Sequence, residues 1–204
     1  MFTGIIQNTG TVVWIKATSD FTRYAIQFPK DLLKDLAIGA SVSIHGICQT
    51  VVAIENETVV FEAIKETLDK TTLHSLAIGQ ILNIERSLKM GDEIGGHLLS
   101  GHVYGTAIIS KIDSPPNEQK IFRVQCDPSW MKYIFYKGFI ALNGASLTVG
   151  NVVPAGFFTV NLIPETLKRT TFGIVEVGEE INVEIDSQTM VIVESVERVL
   201  LQSS

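Results

Sequence analysis

Three side chains of this chain join reactivity to positions that suit a site: His102, Cys48 and Ser146. His102 follows Ser100-Gly101, and a turn glycine there brings backbone close to any ligand. An imidazole so placed moves protons near neutral pH, although a lone histidine also serves structure. Cys48 and Ser146 are candidate nucleophiles, yet neither has a base beside it in sequence, and small buried side chains explain them equally well. His97 and His102 flank Gly101 without a cysteine or carboxylate cluster to complete a ligand set, so no metal site is expected. The sequence holds no P-loop, G-x-G-x-x-G, C-x-x-C or H-E-x-x-H spacing.

What singles these residues out is an internal duplication. The block from Gly46 to Val52 returns as Gly144 to Gly150, and Lys65 to Leu73 returns as Pro164 to Phe172. Gly79, Asn83 and Glu85 return as Gly178, Asn182 and Glu184, and Thr3-Gly4-Ile5-Ile6 answers to Ser100-Gly101-His102-Val103. Blocks in one order at offsets of 97 to 99 define two like domains, and two copies of one pocket imply two similar ligands. Residues common to both copies serve the fold or a shared ligand: Thr50/Thr148, Glu66/Glu165, Thr67/Thr166 and Thr71-Thr72/Thr170-Thr171. Hydroxyls and a carboxylate suit a flat heterocycle rich in N–H and C=O. Alternatively, the threonines merely favour strands and the glutamates sit in a first helical turn. Residues that differ are candidates for a role performed once. Ile5 faces His102, Cys48 faces Ser146, Lys65 faces Pro164, and Lys137 falls opposite Gly39.

The elements that must position these groups are mainly strands. Ile181, Val183 and Ile185 alternate with Asn182, Glu184 and Asp186, a half-buried strand pattern that Leu82 and Ile84 repeat in the first copy. Further β-branched or aromatic runs begin at Val12, Val51, Val59 and Phe157, so each half reads as a small closed β-barrel. Short helices are expected at 30–36 after Pro29, at 129–135 after Asp127-Pro128, and at 165–168 after Pro164. From about Ser187, Ile192, Val196, Val199 and Leu200 recur at helical spacing, with no counterpart in the first half. That helix packs either on its own chain or on other subunits.

Apolar residues make up 46% and charged residues 19% of the 204, an ordinary folded composition. The net charge of −6 argues against a nucleic-acid module of barrel type. No apolar run approaches the ~20 residues that span a bilayer, and the first residues lack secretory-signal features. Cys48 and Cys126 are not at matching places in the repeat, so two free thiols in a reducing cytoplasm are expected.

Six blocks carry a resemblance. They are Met1-Phe2-Thr3-Gly4-Ile5, Gly46-Ile47-Cys48-x-Thr50-Val51, Gly95-Gly96-His97-Leu98-x-Ser100-Gly101-His102, Met131-Lys132-Tyr133-Ile134-x-Tyr136-Lys137-Gly138, Gly144-x-Ser146-Leu147-Thr148-Val149, and Ile163-Pro164-Glu165-Thr166-Leu167-x-x-Thr170-Thr171. Together they resemble the riboflavin synthase family of the α-chain type, from Met1 to the tail.

The resemblance implies an all-β chain: a tandem pair of similar six-stranded Greek-key β-barrels with short helices, over residues 1–97 and 98–186. A C-terminal α-helix within 187–204 would assemble a homotrimer. The implied activity is a transferase dismutation without metal or organic cofactor. Two molecules of 6,7-dimethyl-8-ribityllumazine exchange a four-carbon unit, giving riboflavin and 5-amino-6-(D-ribitylamino)uracil. The 7-methyl group of one must lose a proton, and C7 of the other must accept a nucleophile, at a site between the N-terminal barrel of one subunit and the C-terminal barrel of its neighbour.

Carried onto this chain, the first pocket comprises Gly4, Ile5, Ile6, Cys48, Gln49, Thr50, Glu62, Ala63, Ile64, Lys65, Glu66 and Thr67. The second comprises Gly101, His102, Val103, Lys137, Ser146, Leu147, Thr148, Asn161, Leu162, Ile163, Pro164, Glu165 and Thr166. His102, Ser146 and Cys48 would transfer protons and position the nucleophile, with Ser41 and Thr148 in support; Glu66 and Glu165 suit ribityl hydroxyls. The chain departs from the family at Gln49, usually apolar, at Tyr104, often Asp, and at Asn161, often His. A non-catalytic lumazine- or flavin-binding paralogue is the alternative, and association with lumazine synthase is left open.

Overall fold

The computed structural model describes residues 1–116 and 118–202. Six antiparallel strands, β1 (Asn8–Ala17), β2 (Phe21–Gln27), β3 (Ser41–Ile44), β4 (Ile47–Glu55), β5 (Thr58–Ile64) and β6 (Ile81–Arg86), close a first barrel in the order β1-β2-β5-β4-β3-β6. β7 (Gly105–Asp113), β8 (Lys120–Gln125), β9 (Phe139–Leu142), β10 (Ala145–Val153), β11 (Phe157–Leu162) and β12 (Glu180–Ile185) close a second in the equivalent order. The displaced third strand is the Greek-key feature, and closure leaves neither sheet an open edge. Register breaks recur at matching places, Val12/Trp14 with Ile109/Lys111 and Val51/Ala53 with Val149/Val152. Such bulges sharpen the bend that a narrow barrel needs.

Each barrel fills its own interior, the first around Tyr24, Ile26 and Phe61 and the second around Phe122, Phe158 and Phe172. β12 departs from the half-buried expectation, because Asn182 and Glu184 on its polar face are buried as well, like Asn83 and Glu85 on β6. The two asparagines meet the opposite copy rather than water, and the glutamates meet the segments that lead into each barrel. Asn83 Nδ2 donates to Asn143 O and Asn182 Nδ2 to His45 O, both at 2.9 Å. In return, Asn83 Oδ1 accepts from the Thr171 amide at 2.8 Å, and Asn182 Oδ1 from the Thr72 amide at 2.9 Å. Reciprocal pairs of this kind are what a twofold relation between the copies produces. On the same axis a side chain on Gly46 would collide with the Gly144 amide at 2.6 Å, so only glycine lets the two hairpins touch.

Two of the three expected helices fall short, and the one after Pro164 forms in full. α1 (Lys30–Leu33) ends early, because Lys34 leaves helical backbone at ψ 125° and Asp35 follows with a left-handed φ of 56°. The segment after Asp127 is a 3-10 turn, Pro128–Tyr133, rather than an α-helix, with the Asp127 side chain accepting from the Ser129 amide at 2.8 Å. α2 (Lys65–Lys70) and α3 (Pro164–Arg169) are equivalents. α4 (Ser187–Gln202) begins where Asp186 accepts from the Thr189 amide at 2.9 Å. It touches its own chain through polar groups, Lys132 Nζ with Glu197 at 2.6 Å and Tyr133 OH with Glu194 at 2.9 Å. Its apolar side, including Val191, Ile192 and Val196, is exposed. Among the described residues no helix is long and apolar enough to cross a membrane, and both cysteines are free.

Candidate functional site

Two pockets recur with the duplication. The first, 230 Å³, is lined by Ile47, Cys48, Glu66, Thr67, Lys70 and Thr71, and closed by Gly101, His102 and Val103. The second, 210 Å³, is lined by Ala145, Ser146, Ile163, Glu165, Thr166, Arg169 and Thr170, and closed by Gly4, Ile5 and Ile6. Every residue of the first has its repeat partner in the second. A larger cavity of 310 Å³ lies on the seam between the barrels, and another of 310 Å³ lies beneath the linker around Leu88 and Asp92. Neither recurs as a pair, so neither meets the condition that a twice-used ligand sets.

The closing loops are exchanged, which corrects the assignment made from sequence. Residues 4–6 complete the pocket of the second barrel, and residues 101–103 complete that of the first. The Ser146 amide donates to Gly4 O and the Cys48 amide to Gly101 O, both at 2.8 Å. Ile6 belongs to the second barrel's core, whereas Val103 packs on the first. The crossing is fixed by Phe2 and Leu99, whose amides and carbonyls pair at 2.8 and 2.9 Å. Gly4 has φ +74° and Gly101 φ +78°, and an added Cβ would lie 2.5 Å from Ser146 Cβ or 2.7 Å from Cys48 Cβ. Glycine is required at both.

Each loop hangs on a buried carboxylate. Glu85 accepts from the Thr3 amide at 2.6 Å, Thr3 Oγ1 at 2.7 Å and the Gly4 amide at 3.0 Å. Glu184 accepts from the Ser100 amide at 2.7 Å, Ser100 Oγ at 2.8 Å and the Gly101 amide at 3.0 Å. Burial pushes both carboxyls above the usual range, and these donors only partly offset it. Asn83, Glu85 and their partners are therefore builders of the site. Their recurrence at the common offset was the signal.

The remaining expected residues divide by the direction of their strands. Cys48 and Ser146 lie half-buried on the pocket floors, and His102 stands exposed at the mouth of the first. Gln49 and Leu147, next along, point into the barrels instead of toward a ligand. Gln49 Oε1 accepts from Tyr24 OH at 3.1 Å, so the polar departure is satisfied inside the core. Ala63 and Leu162 are core residues too. Thr50, Thr148 and Asn161 are exposed, and Ser41 pairs with Thr50 across the strands; none of the four lines either pocket. Glu62 is engaged by Arg23 Nε at 2.8 Å, and Lys65 Nζ by Asp69 at 2.7 Å. Ile64 is exposed beyond the first pocket, Pro164 opens α3, and Lys137 is exposed with its ammonium 5.4 Å from the Tyr136 ring centre. Thr71 and Thr170 cap short turns while lining the pockets, whereas Thr72 and Thr171 bind the seam.

One partner was missed. His97 Nδ1 lies 2.7 Å from Ser146 Oγ, and its ring stacks on Phe139 with centres 4.9 Å apart. Burial pushes its pKa down, against the pull of Asp186, so the imidazole stays neutral near pH 7. It gives Ser146 an imidazole partner that its immediate sequence lacks, with donor and acceptor set by the ring tautomer, and only the fold brings it there.

Paired barrels with paired, loop-exchanged pockets define a tandem ligand-binding protein. The family described as "Lumazine binding domain" matches residues 3–87 and again 100–186. Riboflavin synthase of Escherichia coli (strain K12) is 49% identical over 201 residues, covering 98% of this chain and 93% of that protein. LumP complexed with 6,7-dimethyl-8-(1'-D-ribityl) lumazine superposes with a TM-score of 0.82 at 26% identity, over 91% of this chain and 99% of that one. LumP complexed with riboflavin gives 0.84 at 27% identity over the same shares. The chain belongs to the riboflavin synthase family of two-copy lumazine-binding proteins.

Proposed function

We propose that this chain is a transferase that dismutates two molecules of 6,7-dimethyl-8-ribityllumazine into riboflavin and 5-amino-6-(D-ribitylamino)uracil, with no metal or organic cofactor. The observation that carries this is the residue-for-residue match of the two pockets. A reaction whose donor and acceptor are the same molecule needs two such pockets in one assembly. Fixing both reactants in attack geometry lowers a barrier by as much as ~7–11 kcal/mol.

In this reading the ring of each lumazine lies on the floor beside Cys48 or Ser146, and Glu66 and Glu165 face the ribityl hydroxyls. His102 takes the 7-methyl proton, and Ser146, oriented by neutral His97, positions the nucleophile for C7. Ser41, Thr50 and Thr148 lie outside the pockets of a single chain. They reach ligand if the first barrel of one subunit faces the second barrel of its neighbour. The exposed apolar side of α4 supports a homotrimer that creates this arrangement. The two free thiols support a cytoplasmic placement. Association with lumazine synthase belongs to the same reading and is tested by co-purification.

The test is direct. Purified protein incubated with the lumazine and no added cofactor should release one riboflavin for every two substrate molecules, followed by fluorescence. Tight binding without yellow product would assign the chain instead to a non-catalytic flavin or lumazine carrier.

A further inference from the structure

We propose that the ion pairs at the two pocket mouths, Glu66 with Lys70 and Glu165 with Arg169, select against phosphorylated ligands. This inference rests on the reading that the pockets hold ribityl-bearing heterocycles. Lys70 Nζ donates to Glu66 Oε1 at 2.9 Å, and Arg169 Nε makes the same contact with Glu165 Oε1. Both pairs are exposed, with 58% and 70% of the Lys70 and Glu66 side chains open to solvent, so they add little to stability. Yet the pairing is kept in both copies, although Lys has become Arg, and in both copies all its members line the pocket. Neighbouring Lys65, by contrast, has become Pro164 and lies off the pocket.

Chemistry says what such a pair does to a ligand tail. The apolar floor takes the ring, which leaves the hydrophilic chain at the solvent-facing rim where the pair stands. A ribityl hydroxyl donates to a carboxylate and accepts from an ammonium or guanidinium, so it suits either member. A phosphate ester carries a charge of about −1.5 to −2 and has almost nothing to donate. It meets repulsion from the carboxylate and finds the cation already engaged. The glutamate thereby turns a potential phosphate-binding cation into a mouth for neutral polyols. Arg169 would otherwise be well suited to hold phosphate through paired N–H groups. The second pocket is the cleaner case, since His102 adds a further titratable group to the mouth of the first.

The experiment measures riboflavin and flavin mononucleotide affinities by fluorescence quenching for the full chain and for Glu66→Gln/Glu165→Gln. The parent should prefer riboflavin. The double variant should bind flavin mononucleotide about tenfold tighter, the scale of one exposed contact to a near-dianion. The gain should fade at high salt and vanish when Lys70→Gln and Arg169→Gln are added. Riboflavin bound normally with an unchanged preference would overturn the proposal while sparing the function. Failure of riboflavin to bind the parent would overturn the function, and this inference with it.

Discussion

Cys48 and Gln49 are adjacent residues of one strand with opposite fates, because successive strand side chains point to opposite faces. Cys48 floors a pocket, whereas Gln49 enters the barrel and meets Tyr24. The same parity sends Ser146 to its pocket and Leu147 to the core. Residue differences between the copies therefore carry functional meaning only on the pocket-facing parity. His102 opposite Ile5 is such a difference. His102→Ala should lower turnover about 10²- to 10⁴-fold, the usual share of a general acid–base group. Riboflavin affinity should change far less, since Cys48, Thr67 and Glu66 still line the cavity. Near-parental turnover in a steady-state fluorescence assay would remove His102 from the chemistry.

At the scale of elements, the exchanged loops make a prediction that an unexchanged arrangement inverts. Gly101→Ala forces a Cβ to 2.7 Å from Cys48, and Gly4→Ala forces one to 2.5 Å from Ser146. Gly101→Ala should abolish binding at the first barrel and leave the second intact, and Gly4→Ala should do the reverse. Calorimetry would read one ligand per chain in each case, and ligand-induced shifts of signals from Cys48 or Ser146 would show which pocket survives. Loss at the barrel that the loop precedes in sequence would contradict the exchange. The strands were legible in the sequence because their alternation is local, and the duplication was legible because the blocks recur in order at a nearly constant offset. The exchange was not, since an offset aligns the copies without saying which barrel a leader segment lies on. The Ser146–His97 contact escaped for a related reason, as it joins residues far apart in sequence. The helix expected at 30–36 stops at Leu33, because the backbone turns extended at Lys34 and left-handed at Asp35. α4 adds a second prediction. Ile192→Lys/Val196→Lys places charge on its exposed apolar side while leaving the Glu194 and Glu197 contacts in place. Sedimentation should show dissociation to monomers and turnover should collapse, although each barrel still binds ligand. An unchanged assembly would overturn the proposal that α4 holds a homotrimer together.

Taken whole, the molecule is two cores joined by a buried polar seam, and that seam makes its stability depend on acid. His45 is fully enclosed there with its Nδ1 accepting from the Asn83 amide at 3.2 Å, and burial lowers its pKa to about 3. In the unfolded chain it titrates near 6.5. The neutral form is thus the folded one. Stability is fully present above about pH 6.5 and drains away as pH falls toward 3, because only the unfolded state takes up the proton. Glu85 and Glu184 act with the opposite sign. Their raised carboxyls favour the folded state below their unfolded pKa and lose that advantage as pH rises through the folded value. The second copy shows how to separate the two effects, since Asn143 stands where the first has His45. Both residues have positive φ, 46° and 54°, and Asn143 Oδ1 accepts from the Asn182 amide at 2.8 Å as His45 accepts from Asn83. His45→Asn should keep the turn and the hydrogen bond while deleting the titration. Between neutrality and pH 5 the variant should gain about 2 kcal/mol on the parent, as expected for a histidine held neutral by burial. Urea unfolding of both proteins at several pH values measures that difference, from which the glutamate contributions cancel. A difference independent of pH would mean that the imidazole is protonated, or open to water, within the folded seam.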